Sequence, residues 1–202
     1  MYLVGGSMHG KEYTCNQMYR LDLNTFNWDL VKTKGESGPV GSLDEHSASI
    51  HEQSIVIFGG FIDGTREARV FTFDVATFTW ELMEPADPSK PVPSARAGHS
   101  GTIHKNDLYI FGGKDDLNEK LNDIWKFNLS TRVWTECATD MENKECVPTI
   151  RSGHSAILYG DYIGIFGGIY EVTKELNDFH LFDTKNNRWI TLFAEKTEAV
   201  SA

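Results

Sequence analysis

The 202-residue chain is poor in cysteine and proline, with three Cys (Cys15, Cys137, Cys146) and six Pro. An odd number of cysteines in unrelated local contexts argues against a disulfide framework and points to free thiols in a reducing, cytoplasmic compartment. Long apolar runs are missing too. The longest, such as Ile55-Val56-Ile57-Phe58, have strand length, and no charged-then-apolar leader opens the sequence, so neither a membrane span nor secretion is expected. Basic residues are scarce: 19 Lys and Arg stand against 29 Asp and Glu, a formal charge of −10. A nucleic-acid binder needs clustered cations to displace counterions, whereas these are scattered singly or in pairs. Adhesion to anionic membranes is disfavoured for the same reason. No phosphate loop, Cys-x-x-Cys pair or nucleophile elbow appears, so no cofactor is expected.

What the chain does have is 18 glycines and 12 % aromatic residues, and these fall in register. A Gly-Gly pair closes an apolar run at Gly5-Gly6, Gly59-Gly60, Gly112-Gly113 and Gly167-Gly168, in steps of 54, 53 and 55. Trp28, Trp80, Trp134 and Trp189 keep the same period, as do the pairs His46-Ser47, His99-Ser100 and His154-Ser155. The separation from His to the first Gly is 13 each time, and from Asp22, Asp74, Asn128 or Asp183 to its Trp it is 6 each time. Length varies only between the second Gly and that Asp or Asn, where a loop belongs.

Inside a unit the apolar pattern has period two and is bounded by turn residues, which predicts short strands. In the third unit these are His99–Ile103, Leu108–Phe111, Ile124–Phe127 and a fourth beginning at Val133, with turns at Asn106-Asp107 and Asn128–Thr131. Four antiparallel strands per repeat are the pattern of a β-propeller blade, and one such sheet needs neighbours to cover both faces. The recurring Trp then reads as packing between blades. The Gly pairs read as close backbone approach or positive φ.

At Arg96-Ala97-Gly98-His99-Ser100 and Arg151-Ser152-Gly153-His154-Ser155 the sequence resembles the kelch repeat family. The Ile-Phe-Gly-Gly strands, Leu121-Asn122-Asp123, Leu176-Asn177-Asp178 and the Asp/Asn-to-Trp turns carry the same resemblance. The style is closer to free-standing kelch propellers than to those attached to BTB ubiquitin-ligase adaptors. The resemblance implies an all-β, kelch-type propeller segment with three complete four-stranded blades plus three strands of another. Its units are a partial blade over 1–33 and blades over 40–84, 94–137 and 149–193. Propellers close with roughly four to eight blades. A partial ring would leave raw edges, so a longer propeller, self-association or an additional chain is expected to complete it.

The resemblance also implies function: a non-enzymatic protein–protein interaction module acting as adaptor or scaffold. Its binding surface would be the Gly-Gly loops and the loops between blades. In kelch adaptors, arginines at the place of Arg96 and Arg151 contact acidic peptide motifs, and a guanidinium fork suits a carboxylate. The other reading is that these arginines bond carbonyls of the neighbouring blade. The second unit has Leu43 there, so no continuous basic rim is expected. The Gly-Gly loops, 7–14, 61–67, 114–120 and 169–175, change composition from unit to unit, as recognition loops on a rigid scaffold do. Met8, Phe61, Ile62 and Tyr170 are expected to expose apolar groups there, flanked by Arg66, Lys114, Asp115 and Glu171.

Two enzymatic alternatives stand beside this reading. Glu175, Asp178 and His180 are similar to the iron-binding Glu/Asp/His set of nitrile-specifier kelch proteins, although their spacing differs. Asp178 and His180 share a strand face, so a metal pair is sterically feasible. A hydrogen-bonded His in the packing slot that holds Tyr19, Phe71 and Trp125 elsewhere is the simpler reading. A galactose-oxidase-like redox enzyme is the other alternative.

Overall fold

The structure is a computed structural model that describes residues 1–6, 17–34, 38–39, 41–137 and 146–194. Its described strands, in chain order, are β1 (Tyr2–Val4), β2 (Met18–Leu21), β3 (Trp28–Val31), β4 (Leu43–Asp44), β5 (Ser47–His51) and β6 (Ser54–Phe58). These are followed by β7 (Phe61–Ile62), β8 (Thr65–Arg66), β9 (Val70–Asp74), β10 (Thr79–Leu82), β11 (Ser100–His104) and β12 (Asp107–Phe111). The series ends with β13 (Ile124–Asn128), β14 (Val133–Glu136), β15 (Ser155–Tyr159), β16 (Tyr162–Ile169), β17 (Glu175–Asp183) and β18 (Arg188–Phe193). They form an all-β, kelch-type arrangement: one three-stranded antiparallel sheet (β1-β2-β3), then three four-stranded ones (β5-β6-β9-β10, β11-β12-β13-β14, β15-β16-β17-β18). A small sheet, β4-β7-β8, sits beside the second. Among the described residues no helix is long and apolar enough to cross a membrane.

The turn before the last strand is built the same way in the four main sheets. The side-chain oxygen of Asp22, Asp74, Asn128 or Asp183 accepts from the backbone N–H groups two and three residues on. Four residues after each, Phe26, Phe78, Arg132 and Asn187 take positive φ (57°, 60°, 57°, 54°) and reverse the chain. The Trp two places further on then begins or enters the last strand. In the first hairpin of the third sheet the reversal falls at Lys105 (φ 55°), so the second strand starts at Asp107, one residue before the alternation suggests.

The second strand of each middle sheet is buried on both sides. In β6, Ile55 and Ile57 join Met18, Val31, Phe73 and Trp80 toward the first sheet, whereas Val56 and Phe58 join Leu108, Ile110, Phe127 and Trp134 toward the third. In β12 the same division sends Tyr109 and Phe111 into a cluster with Ile163, Phe182 and Trp189 of the fourth. A strand covered on both faces has no polar side to show, which explains the continuous Ile-Val-Ile-Phe run. The recurring Trp packs between sheets: Trp134 lies 5.4 Å from Phe58 and Trp189 5.0 Å from Phe111, ring centre to ring centre. These three inter-sheet Trp are 7 % (Trp80), 7 % (Trp134) and 2 % (Trp189) exposed, against 49 % for Trp28.

Candidate functional site

Successive units meet where the chain enters the innermost strand. The N–H of the second Gly in the first three pairs donates to a backbone carbonyl of the next unit: Gly6 to Leu43 (2.6 Å), Gly60 to Arg96 (2.8 Å) and Gly113 to Arg151 (2.8 Å). The following imidazole lies over the first Gly. A Cβ on Gly59 would come within 2.6 Å of His99 Cε1, and one on Gly112 within 3.0 Å of His154 Cε1, so glycine is required there by space as well as by φ of 64°. His99 and His154 then reach back one unit through Nε2 to the hydroxyls of Ser47 (2.9 Å) and Ser100 (2.8 Å). Burial pushes both imidazoles down, with the Arg96 and Arg151 charges adding to it, to about 3 for His99 and about 4 for His154. Both stay neutral at physiological pH.

Arg96 and Arg151 do not face a partner, which corrects the expectation that they bind one. Both are fully buried. Arg96 gives Nε to Ser94 O, Nη1 to Gly112 O and Asp123 Oδ1 (2.7 Å), and Nη2 to Ser94 Oγ and Asp123 Oδ2 (2.8 Å). Arg151 repeats the pattern with Thr149 O, Gly167 O, Thr149 Oγ1 and both oxygens of Asp178 (2.6 and 2.8 Å). All five N–H donors of each guanidinium are spent inside the fold. Burial raises the Asp178 carboxyl, but the Arg151 and His180 hydrogen bonds and charges outweigh it and hold the group at about 2.

The signal for this clamp was present in the second unit. Asp123 and Asp178 each precede the residue paired with the Phe before Gly-Gly, and the register puts Arg69 at that place in the second unit. Leu43 replaces the Arg where Arg69 replaces the Asp, so both members of the pair change together. Arg69 turns instead to Glu67 and stacks 5.2 Å from the Phe71 ring.

His180 is likewise part of the packing. Its Nε2 meets Asp178 Oδ2 at 2.8 Å and its Nδ1 the Thr191 hydroxyl at 3.2 Å. In the third unit Trp125 Nε1 makes the equivalent bond to Asp123 at 2.8 Å, so imidazole and indole fill one slot with one hydrogen bond. Glu175 lies exposed at the start of β17, and among the described residues no group of three His, Cys, Asp or Glu is arranged to hold a metal. Cys137 is buried, which pushes its thiol up to about 12, and Cys146 is half-buried; both are free. Cys15 lies outside the described residues.

The Gly-Gly loops form a linked surface. Arg66 gives Nη2 to Asn118 Oδ1 (2.6 Å), tying the second unit's loop to the third's, and Lys120 Nζ reaches Glu171 O (3.1 Å), tying the third's to the fourth's. Arg66 also covers Phe61, with its Cζ 4.7 Å from the ring centre. Ile62 corrects the expectation of an exposed group: it is buried at 9 %, paired with Leu43 and packed into the core of the first two sheets. Tyr170 is half-buried with the Lys174 ammonium 5.5 Å over its ring, while Glu171 is exposed. Lys114 pairs its backbone with Ala97, and Asp115 caps the next turn through Leu117 and Glu119 N–H. The apolar tips the sequence reading missed are Leu117, 79 % exposed, and Val172, 93 %. Met8 and loop 7–14 lie outside the described residues.

Comparison with known proteins agrees with this geometry. The KLHDC2/KLHL20/DRC7 Kelch-repeats domain model matches residues 1–201. Kelch domain-containing protein 3 of Homo sapiens is 33 % identical over 195 residues, covering 91 % of this chain and 49 % of that protein. Rho GTPase-activating protein gacHH of Dictyostelium discoideum is 33 % identical over 166 residues, 81 % of this chain and 11 % of its own length. Acyl-CoA-binding domain-containing protein 5 of Arabidopsis thaliana is 29 % identical over 199 residues, 94 % and 29 % respectively. The chain thus spans about half the length of the first of these and less of the others.

Proposed function

The chain belongs to the kelch-repeat family, and from that premise we propose that it is a non-enzymatic interaction module whose Gly-Gly loops recognise a protein partner in an adaptor or scaffold role. The observation that supports this most is the linkage of the loops. Side chains of variable composition are tied across units by Arg66 to Asn118 and Lys120 to Glu171, and they present Leu117 and Val172 to solvent on a rigid framework. Phe61, Arg66, Lys114, Asp115, Tyr170 and Glu171 flank those tips as the polar and aromatic rim. An acidic motif in the partner would meet Lys114, whose ammonium makes no hydrogen bond or ion pair among the described residues, rather than the saturated arginines. A longer propeller, self-association or an additional chain completes the ring.

The test is a double substitution, Leu117→Asp with Val172→Asp, read against a purified partner by calorimetry and against the unfolding temperature. Both positions are exposed, so stability should hold while binding falls at least tenfold. Unchanged binding by the double variant would remove the loop face from the reading.

A further inference from the structure

The joints between sheets differ at the outer rim. Asp29 and Glu81 each follow the repeated Trp, and Phe78 and Arg132 each take positive φ in the turn of the sheet that comes next. Between the second and third sheets these two places are joined, because Arg132 reaches back to Glu81 as an ion pair. Between the first and second sheets they cannot pair, since the turn carries a phenyl ring there. Asp29 turns instead to Arg20, its cross-strand neighbour on the same sheet, at 3.0 Å.

A cleft of about 250 Å³ opens between those places, lined by Arg20, Asp29, Leu30, Val31, Lys32 and Phe78. Part of the lining is apolar and fixed by the core. Val31 is buried in the cluster shared by the first two sheets, and Phe78 is half-buried against Phe73, 6.3 Å between ring centres. The rest is cationic. Lys32 is exposed, and its ammonium makes no hydrogen bond or ion pair among the described residues. Lys34 donates its N–H to Phe78 O (2.8 Å) and is likewise exposed, with an ammonium that is unpaired among the described residues. Asp29 is the one carboxylate of the lining and Arg20 already holds it. Arg20, Lys32 and Lys34 against Asp29 leave an excess of two positive charges at this spot, in a chain whose net charge is −10.

We propose that this rim cleft is a second binding site, for an acidic peptide segment of a protein partner that seats one bulky apolar side chain on Phe78 and Val31 and sets its carboxylates against Lys32 and Lys34. The charge selects the occupant. A basic segment would be repelled by the two unpaired ammoniums, and a purely apolar one would leave them without a counter-charge. An aromatic anchor beside complementary charge is the composition that carries most of the energy in protein interfaces. The site shares no residue with the Gly-Gly loops, so it stands or falls apart from the loop face.

The probe is a synthetic peptide, Glu-Glu-Phe-Glu-Glu, acetylated and amidated so that no terminal charge takes part. It is titrated into the whole chain and followed by NMR at the amides of Lys32, Lys34 and Phe78. Saturable shifts there should give a Kd below about 1 mM that weakens as salt is raised. Lys32→Glu, at an exposed position, should weaken binding by about tenfold or more. Phe78→Asn should do the same by removing the ring while keeping the turn, which Asn187 forms with positive φ in the fourth unit. Replacing the peptide's Phe by Ser reads the same contact on the intact protein should Phe78→Asn fail to fold. Leu117→Asp with Val172→Asp should leave this binding unchanged. Absence of saturable shifts, a Kd indifferent to Lys32→Glu, or equal binding of the Phe and Ser peptides overturns the rim site. Binding lost in the Leu117 and Val172 double variant but kept in Lys32→Glu would assign the acidic peptide to the loop face, overturning the rim site while the loop reading stands.

Discussion

The imidazole of His99 crosses from the third sheet to the hydroxyl of Ser47 in the second at 2.9 Å, and it does so as a neutral ring. His154 repeats the contact to Ser100. A histidine whose folded pKa is lowered binds its proton more readily in the unfolded chain, so its stabilising contribution is complete above about pH 6.5 and is lost as pH falls toward the folded value.

Acidification from pH 8 to pH 5 should therefore destabilise the protein by on the order of 2 kcal/mol per buried His, from folded values of about 3 and 4. Urea unfolding at the two pH values measures it. Replacing His154 by Gln should lower stability at pH 8 and flatten the pH dependence. A curve of unchanged slope would show that other groups carry it. Asp178, held at about 2, acts in the same sense further down, its contribution being lost as pH drops below the ordinary carboxylate value.

Arg96→Leu should cost on the order of 3 kcal/mol, because it leaves the half-buried Asp123 carboxylate and the buried Gly112 carbonyl without their guanidinium partner. Removing both charges, Arg96→Leu with Asp123→Leu, should recover most of that loss, the remainder reflecting the Trp125 Nε1 bond that Asp123 also accepts. A double-mutant cycle by chemical denaturation gives the coupling directly, and strict additivity would contradict the clamp.

Two tryptophans of the same repeat position should behave unequally. Trp80→Ala removes a ring buried between the first two sheets and should cost about 3–5 kcal/mol. Trp28→Ala, at a half-exposed ring, should cost markedly less. Equal melting-temperature losses would mean that Trp28 is covered in solution.

Arg66→Ala should change stability by less than about 1 kcal/mol, as expected of a largely surface contact, yet accelerate amide exchange in loop 114–120 by releasing Asn118. Hydrogen-exchange mass spectrometry of that loop reads the effect. Unaltered exchange would show that the Asp115 turn alone fixes it.

Much of the scaffold was legible because the repeat is written in residues with hard local requirements. The Gly pairs need positive φ and space, the Asp/Asn residues cap the turn, and the Trp fills a gap between sheets. The candidate site was less legible, since the type of a residue does not report its burial. Arg96 reads as a recognition residue until its five donors are traced to Ser94, Gly112 and Asp123. Ile62 reads as a loop residue until its pairing with Leu43 draws it into the core. Leu117 and Val172 carry no motif, and only the path of the loops brings them outward. The joint change of Leu43 and Arg69 was the one trace of the clamp open to inspection, and it becomes visible once strand register aligns the units.

The second strand of each middle sheet divides its side chains between two separate cores. The stability of the protein is accordingly wired in series, sheet to sheet, rather than pooled at one centre. A lesion at Phe58 loosens the join to the third sheet and reaches the first only through the strand that carries it. Damage therefore passes from one core to the next through the strand they share, rather than reaching all of them at once.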